Sequence, residues 1–321
     1  LGALLSTVAL ATFIWAVIEA PGHGWTSPVI LGGFAIAIVF GALFFIWEQH
    51  TATPMFELTL MKSPQLSAAA LTLTVAFIAM SGAMFLATLA LQLVKGYSPL
   101  QAAIATSGPV VVVNLLVVPR APWIMQRFGL RRTIAFGTAM TGVAALVMSL
   151  TSTTSPYWIL GLSFALMATA FSTFMPASTE AMMTAVPPEK SGGASALNQI
   201  TRQTGQALGV ALLGGLATVG FQRAFMQQSS SLPDVSSQDL EQASGSLSAA
   251  VHVADSLPES LHASLMEIAG GSYISGMRIA LYVAAALAFI GAAYAVKAIP
   301  ARISEAAEPH RILSEVDDPA S

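Results

Sequence analysis

The sequence contains no cysteine, and only 9% of its 321 residues are Asp, Glu, Lys or Arg, whereas an ordinary soluble domain carries about 25%. Without cysteine there is neither a disulfide framework nor a thiolate metal site. The five histidines fall in predicted loops and tails, so we expect no metal site and no cofactor. The net charge of −3 is small and does not indicate a nucleic-acid partner, so none is expected.

Charged residues are missing altogether from long stretches, such as Leu1–Ile18 and Thr133–Thr179. A helix needs about 20 apolar residues to cross the ~30 Å hydrocarbon core of a bilayer. The runs Val29–Trp47 and Ala280–Val296 are continuously apolar, whereas the strands of a membrane barrel would alternate apolar and polar residues. Together with a mean hydropathy of +0.71, these runs predict an all-α, polytopic membrane protein.

The apolar runs and the turn residues between them predict eight membrane-spanning helices. The polar segment Glu48–Pro64 is predicted to be a linker with a short surface helix around Met55–Met61. The Ser-rich, acidic segment Met226–Gly271 is predicted to be one long loop before the final span. Because Leu1 already lies in a predicted span, we expect an N-terminal portion to precede it. The predicted spans run near residues 1–20, 27–48, 66–94, 101–125, 132–152, 156–185, 192–225 and 272–298.

The basic residues in the short connections predict the orientation, because cytoplasmic loops carry an excess of Lys and Arg. Eight spans place eight basic residues on one side and three on the other. The first side is therefore predicted to be cytoplasmic, with the C-terminus, and Met226–Gly271 is predicted to lie outside the cell. The larger set comprises Lys62, Arg127, Arg131, Arg132, Lys190, Lys297, Arg302 and Arg311. The smaller set comprises Lys95, Arg223 and Arg278.

The seventh predicted span carries the densest polar set in the chain. At about 100° per residue, its members fall within an arc of about 140°. A cation and four carboxamides do not face lipid without cost, so this face is predicted to line a substrate cavity. The alternative is that the cation reaches the cytoplasmic headgroups and only anchors its helix. The set comprises Asn198, Gln199, Arg202, Gln203 and Gln206. On the same helix, Gly205 and Gly209 form a GxxxG pattern that predicts close helix packing.

Weaker polar stripes occur on three other spans, and their hydroxyls either line a polar path or bond back to their own helices. They add three candidates for the cavity: Ser81, Asn114 and Thr173. The stripes comprise Thr74, Ser81, Thr88 and Gln92, then Ser107 and Asn114, then Thr169, Thr173, Pro176 and Glu180. Glu180 is a candidate for proton exchange or a solvated residue at a helix end, whereas Glu19 and Glu48, at span ends, are predicted to be solvated.

Two loops resemble those of a known transporter family. The segment Gln126–Arg132 resembles the D-R-x-G-x-R loop signature of major facilitator transporters, with Gln126 where Asp is usual. The segment Val186–Ala196, followed by Asn198, Arg202 and the Gly205–Gly209 pattern, is similar to the penultimate-helix region of the 14-span drug:proton antiporters. The resemblance covers the whole chain as the last eight helices of that family.

This resemblance implies an extra helix pair at 1–50, a linker at 51–65, a C-terminal six-helix bundle at 66–298 and a cytoplasmic tail at 299–321. It also implies a proton-coupled exporter of amphiphilic or cationic molecules in the cell membrane. The partners would be the substrate, protons, the bilayer and an N-terminal transporter half. The loop residues Arg127, Gly129, Arg131 and Arg132 would take part in the conformational change.

Three alternatives differ from this interpretation. A lipid or fatty-acyl translocator of the same fold would have an apolar cleft between helices, for which Phe77, Met80, Met84 and Phe85 are candidates. A non-transporting membrane subunit would be complete without a second half. An intramembrane enzyme is not favoured, because the sequence shows neither paired acids nor a histidine cluster within its spans.

Overall fold

A computed structural model describes residues 2–23, 27–51, 63–229 and 235–299. The predicted all-α class is confirmed, since every regular element in these four ranges is helical. The predicted surface helix at Met55–Met61, the loop at Gly24 and Trp25, and the tail after Ile299 lie outside the described residues. The helices are α1 (Gly2–His23), α2 (Pro28–His50), α3 (Pro64–Leu89), α4 (Pro99–Val117), α5 (Ala121–Ser149), α6 (Trp158–Met183), α7 (Ser191–Ser229), α8 (Ser237–Ser244), α9 (Leu247–Ala254) and α10 (Glu259–Ala298).

Six segments of the described chain are long and apolar enough to cross a membrane. One of them, Pro99–Ser149, contains both α4 and α5. Helix α1 contributes only the shorter apolar stretch Gly2–Ala16. The chain is therefore a multi-pass membrane protein by length and composition, while the total of eight spans stays a prediction. The six segments are Pro28–Glu48, Pro64–Val94, Pro99–Ser149, Trp158–Met183, Ser191–Ser229 and Leu261–Ala298.

Serine–proline pairs start three of these helices. Ser27, Ser63 and Ser98 each occupy the N-cap position in an extended conformation and are followed by proline. Proline suits this position because its missing N–H would have no partner in the first turn and its φ is already helical. Ser98 also forms a capping box with Gln101, in which each side chain bonds the other's backbone N–H.

The fourth and fifth predicted spans differ from the observed helices. Helix α4 ends at Val117, and a single 3-10 turn, Val118–Arg120, leads into α5. The break predicted within Gln126–Arg131 is observed at Gly129, where φ is +78° and two helical stretches of α5 meet at a kink. Glycine adopts this left-handed backbone without the Cβ clash that other residues incur.

The long loop predicted at Met226–Gly271 is wrong as a single loop. Helix α7 continues to Ser229, two short helices α8 and α9 follow, and α10 begins at Glu259 rather than near 272. Polar residues lower the hydropathy of this region, but Leu265 and Ala269 lie one helical turn apart and are both fully buried. The prediction that the histidines lie in loops is therefore wrong for His252 and His262, which lie in α9 and α10, and for His23 and His50, which are the last residues of α1 and α2.

Helix α3 lies at the centre of the packing and contacts α7 and α10, while α5 packs on α6 and α10. Its Phe77 forms edge-to-face contacts with Phe171 and Phe174 of α6, at centroid distances of 6.2 and 5.9 Å. Helices α1 and α2 form an antiparallel pair that contacts α7 through α1. In this pair Glu48 is buried beside Gly2, so the predicted solvation of Glu48 is wrong.

Two of the three basic residues on the side predicted to be external bind backbone carbonyls at the turn between α5 and α6. The Lys95 Nζ donates to the carbonyl oxygen of Ser155 at 2.7 Å. The Arg278 Nε donates to the carbonyl oxygen of Ser149 at 3.1 Å. Partial burial lowers the pKa of Lys95 from its ordinary value. Arg278 therefore satisfies a carbonyl at the end of α5, and Lys95 satisfies one in the turn that follows.

Candidate functional site

The polar row of α7 consists of the five polar residues predicted to share one face of this helix. One of them is buried, and the other four are partly or fully exposed. Asn198 is buried, with 7% of its surface exposed, whereas Gln199 and Gln203 are exposed and Arg202 and Gln206 are half-buried. The predicted polar face is therefore a continuous strip along α7, one margin of which packs on a neighbouring helix. The other margin is open to the surroundings of the chain.

Asn198 is held by α6. Its Nδ2 donates to the Thr179 hydroxyl oxygen at 3.2 Å and lies 3.5 Å from the Met182 sulfur. A buried carboxamide needs such partners because an unsatisfied amide in an apolar environment is costly. This contact holds the N-terminal part of α7 against α6, with Asn198 turned inward.

Arg202 points along the open edge of the strip. Its guanidinium donates to the side-chain oxygen of Gln199, three residues earlier on the same helix. Within the described ranges no carboxylate is observed to pair with Arg202. An arginine in a membrane span that meets only a neutral amide keeps unused donors. Those donors are available to an anion or to the polar part of a substrate.

The GxxxG pattern of α7 holds the strip against α3. A Cβ on Gly205 would lie 2.8 Å from both the Phe77 Cβ and the Thr74 carbonyl oxygen, and a Cβ on Gly209 would collide with Ser81 and the Ile78 carbonyl. The close packing predicted for this pair is therefore observed, since only glycine permits so short an approach.

Ser81 and Asn114 each make a bond between helices. The Ser81 hydroxyl on α3 donates to the Gln206 carbonyl oxygen on α7 at 3.0 Å. The Ser172 hydroxyl on α6 donates to the Asn114 side-chain oxygen on α4 at 2.7 Å. These two candidates join helices, and Ser81 directly adjoins the polar row of α7.

The remaining stripe hydroxyls are used by their own helices. Thr74, Thr88 and Thr169 donate to the carbonyl four residues earlier at 3.0, 2.9 and 2.9 Å. Thr173 is buried and donates to the Thr169 carbonyl at 2.6 Å. Such bonds satisfy the hydroxyl without a ligand. The structure therefore favours a structural role for most of these stripes and does not bring Thr173 to the α7 row.

Glu180 is exposed and lies three residues before the end of α6. Its backbone carbonyl oxygen accepts hydrogen bonds from the Thr184 N–H at 2.9 Å and from the Thr184 hydroxyl at 2.8 Å. Glu180 follows Thr179, the partner of Asn198, by one residue. It is therefore placed at the helix end next to the anchored margin of the α7 strip.

The loop residues identified by resemblance lie around the Gly129 kink of α5. Arg127 and Arg132 are exposed and Arg131 is half-buried. The Arg127 guanidinium carbon lies 5.8 Å from the centre of the Trp123 ring, within cation–π range. The Arg132 side chain lines a cavity of about 480 Å³ together with Phe128 and Phe136.

A second cavity, of about 320 Å³, lies between α3 and α7 beside the start of α9. Its lining is almost entirely apolar and includes Phe85, one of the four residues considered for an apolar cleft. Another of the four, Phe77, is fully buried, and Met80 packs on the same core cluster, whereas Met84 packs on a second core cluster. The predicted cluster is thus divided between ordinary packing and the wall of this cavity.

Sequence reasoning missed Ser172, Thr179 and Met182, the α6 partners of the polar residues. Ser172 and Thr179 are seven residues apart, the same spacing that identified the other stripes, and that signal was available. Met182 gives no signal, because a thioether acceptor cannot be distinguished from an ordinary core methionine by sequence. No group of three or more His, Asp or Glu side chains suited to a metal occurs in the described part of the chain.

The chain is similar to proteins of a known family. The sequence profile of the Major Facilitator Superfamily matches residues 1–210. The "Tetracenomycin C resistance and export protein" of Streptomyces glaucescens is 29% identical over 324 residues, covering 100% of this chain and 59% of that protein. The "Multidrug efflux pump LfrA" of Mycolicibacterium smegmatis is 29% identical over 300 residues, covering 91% of this chain and 58% of that protein. The chain thus spans less than two thirds of the length of these relatives.

A solved structure also aligns with the chain. It is a bacterial homologue of the human lysosomal transporter Spinster in an inward-facing, unoccupied conformation. The TM-score is 0.49 and the sequence identity 17%, with 84% of this chain and 57% of that chain covered.

Proposed function

The chain belongs to the Major Facilitator Superfamily, and we propose that it is the C-terminal part of a proton-coupled exporter of amphiphilic or cationic small molecules. The family match and the export proteins among the relatives indicate a transport protein rather than an enzyme, as the sequence predicted. The drug class of the cargo is part of the proposal, and it is supported by the names of those relatives.

The observation that carries the proposal is the open edge of the α7 strip. Arg202 and Gln203 offer donors and acceptors within a helix apolar enough to span a membrane, while Asn198 holds α7 on α6. Intramembrane ionisable residues face protein or a water-filled cavity, because charge in lipid is costly. Transporters of this kind bind substrate near the bilayer midplane, between two structural halves. The strip is thus one wall of a substrate site whose other wall belongs to an N-terminal half.

The proposed organisation follows the packing. Helices α1 and α2 pack mainly on each other and touch the rest through α1 and α7, which suits an extra helix pair at 1–50. Segment 66–298 then forms a six-helix bundle, with 51–65 as the linker. The protein is placed in the cell membrane. With eight spans, the C-terminal segment 299–321 lies in the cytoplasm. Segment 226–271, which contains α8 and α9, then lies outside the cell.

Glu180 is the proton-coupling candidate within this chain. Its exposed position at the end of α6 favours access from one side only. A coupling carboxylate has to reach both sides in turn, so the N-terminal half would contribute the main coupling groups. Glu180→Gln in the complete exporter should then leave dye export dependent on the pH gradient. Loss of that dependence would make Glu180 the coupling residue.

A lipid or fatty-acyl translocator is the second candidate, and the apolar cavity between α3 and α7 favours it. A volume of about 320 Å³ lies at the lower end of the range of ligand pockets. Its wall contains Phe85 and Leu89 but no charged side chain, so a lipid headgroup would have no ionic partner there. The exporter of cationic or amphiphilic molecules is preferred because the α7 strip offers polar groups to a substrate, whereas this cavity offers none to a lipid headgroup.

The experiment that tests the proposal compares two cargoes in one system. The complete exporter is reconstituted in liposomes with an imposed pH gradient, and a fluorescent cationic dye or a fluorescent phospholipid is followed. Gradient-dependent movement of the dye, with no movement of the phospholipid, supports the drug exporter. Movement of the phospholipid alone supports the translocator.

A further inference from the structure

We infer that the cleft beside the Gly129 kink of α5 binds an anionic phospholipid, with the headgroup phosphate at Arg132 and an acyl chain in the apolar cavity below it. The cavity holds about 480 Å³ and is walled by Ile124, Phe128 and Phe136 of α5 and by Thr173 of α6. This site lies on a different helix pair from the α7 strip. It does not depend on the identity of the transported molecule.

The cavity has one polar group that is free to meet a ligand. The Thr133 hydroxyl donates to the Gly129 carbonyl at 2.9 Å, and the Thr173 hydroxyl donates to the Thr169 carbonyl at 2.6 Å. Both hydroxyls are therefore satisfied within their own helices. The Arg132 guanidinium is exposed and makes no ion pair or hydrogen bond within the chain as described. A hydrocarbon-lined space with a cation at its rim matches an amphiphile with an anionic head.

The charge around the kink favours an anion strongly. Segment 120–132 contains four arginines and no acidic residue. Gln126 occupies the position at which the resembling loops usually carry Asp, so the local carboxylate that would neutralise them is missing. Basic pockets between membrane helices on the cytoplasmic side are suited to acidic headgroups. A cationic cargo would be repelled here, which separates this cleft from the proposed substrate site.

The aromatic residues place the cleft at the level of the headgroups. Trp123 and Phe128 are 59% and 48% exposed, and their rings meet edge to face at 6.5 Å. Tryptophan is enriched where membrane and water meet. Arg127 lies over the Trp123 ring, so a second cation of the same segment is held on this aromatic pair. The phosphate would lie at the Arg132 guanidinium, with the acyl chain in the cavity that Arg132 borders.

Native mass spectrometry of the detergent-solubilised chain tests the inference, with dioleoyl-phosphatidylglycerol and dioleoyl-phosphatidylcholine as probes. We expect the wild type to bind phosphatidylglycerol preferentially. Arg132→Gln should lower that preference about fivefold, since one basic residue near an anionic surface contributes about that factor. Arg132→Lys should keep it within about twofold, because Lys also binds phosphate as a point charge.

Arg223→Gln is the matched control, because it removes the same charge from an exposed arginine that also borders an apolar cavity. This variant should bind as the wild type does. An equal loss of the phosphatidylglycerol preference in Arg223→Gln would show that the preference depends on net charge, and it would overturn the inferred site at Arg132. Full competition by inorganic phosphate would identify a free-anion site instead. Absence of any preference in the wild type would show that the cleft is not open to lipid and would also overturn the inference.

Discussion

The Ser81 hydroxyl on α3 donates a 3.0 Å hydrogen bond to the Gln206 carbonyl oxygen on α7. This bond lies between the two glycines that bring the helices together, because Gln206 stands between Gly205 and Gly209. The polar row of α7 therefore belongs to a helix that packs tightly on α3. Its orientation is set by backbone contact, so a substitution that separates the two helices should disturb the whole row.

The first prediction concerns that packing. Gly209→Ala should lower the free energy of unfolding by about 1–3 kcal/mol, the usual effect of overpacking, because the added methyl group would meet Ser81 and the Ile78 carbonyl. Gly215→Ala is the control on the same helix, since a Cβ there meets nothing within 4 Å. Thermal unfolding in detergent measures both. A Gly209→Ala midpoint equal to that of Gly215→Ala would contradict the packing argument.

A second prediction concerns the buried amide. A double-mutant cycle of Asn198→Ala and Thr179→Ala should give a coupling energy of about 0.6 kcal/mol and at most about 1.7, as for other hydrogen bonds between membrane helices. The energies come from unfolding titrations in mixed detergent micelles. Ser172→Ala serves as the control partner, because Ser172 bonds Asn114 instead and should be additive with Asn198→Ala. Additivity in both cycles would remove the anchoring role of Asn198.

These two contacts show what the sequence could and could not supply. The α7 row was predictable because a cation and carboxamides in an apolar span are rare and have a physical cost. The close approach at Gly205 was predictable from the GxxxG spacing. Thr179 was not predicted as the partner of Asn198, because pairing between helices depends on their rotation. The start of α10 was missed because Glu259 and Glu267 lower the hydropathy of a helix whose other face is buried.

A third prediction concerns topology, and the absence of cysteine makes it simple to test. Ser229→Cys, at the end of α7, should react with an impermeant thiol reagent added outside cells. Gln126→Cys, an exposed position three residues before the α5 kink, should react only when the reagent reaches the cytoplasm. The reverse pattern would invert the orientation inferred from the basic residues.

A fourth prediction concerns the chain expressed alone. It should fold as a helical membrane protein and move no dye, because alternating access in this architecture needs two halves around a shared site. Circular dichroism checks the fold, and dye movement in liposomes with a pH gradient checks transport. Dye movement driven by the gradient would show that the chain transports without a second half.

The central claim is that the open edge of the α7 strip forms part of the substrate site, and Arg202→Ala tests it most directly in the complete exporter. Initial export of a cationic dye, normalised to the amount of protein in the membrane, should fall at least about tenfold, since hydrogen bonds to charged groups contribute about 1.5–3 kcal/mol. Arg223→Ala, at the other end of α7, should export as the wild type does. Wild-type export by Arg202→Ala at normal membrane levels would contradict the claim and leave Arg202 as an anchor of its helix.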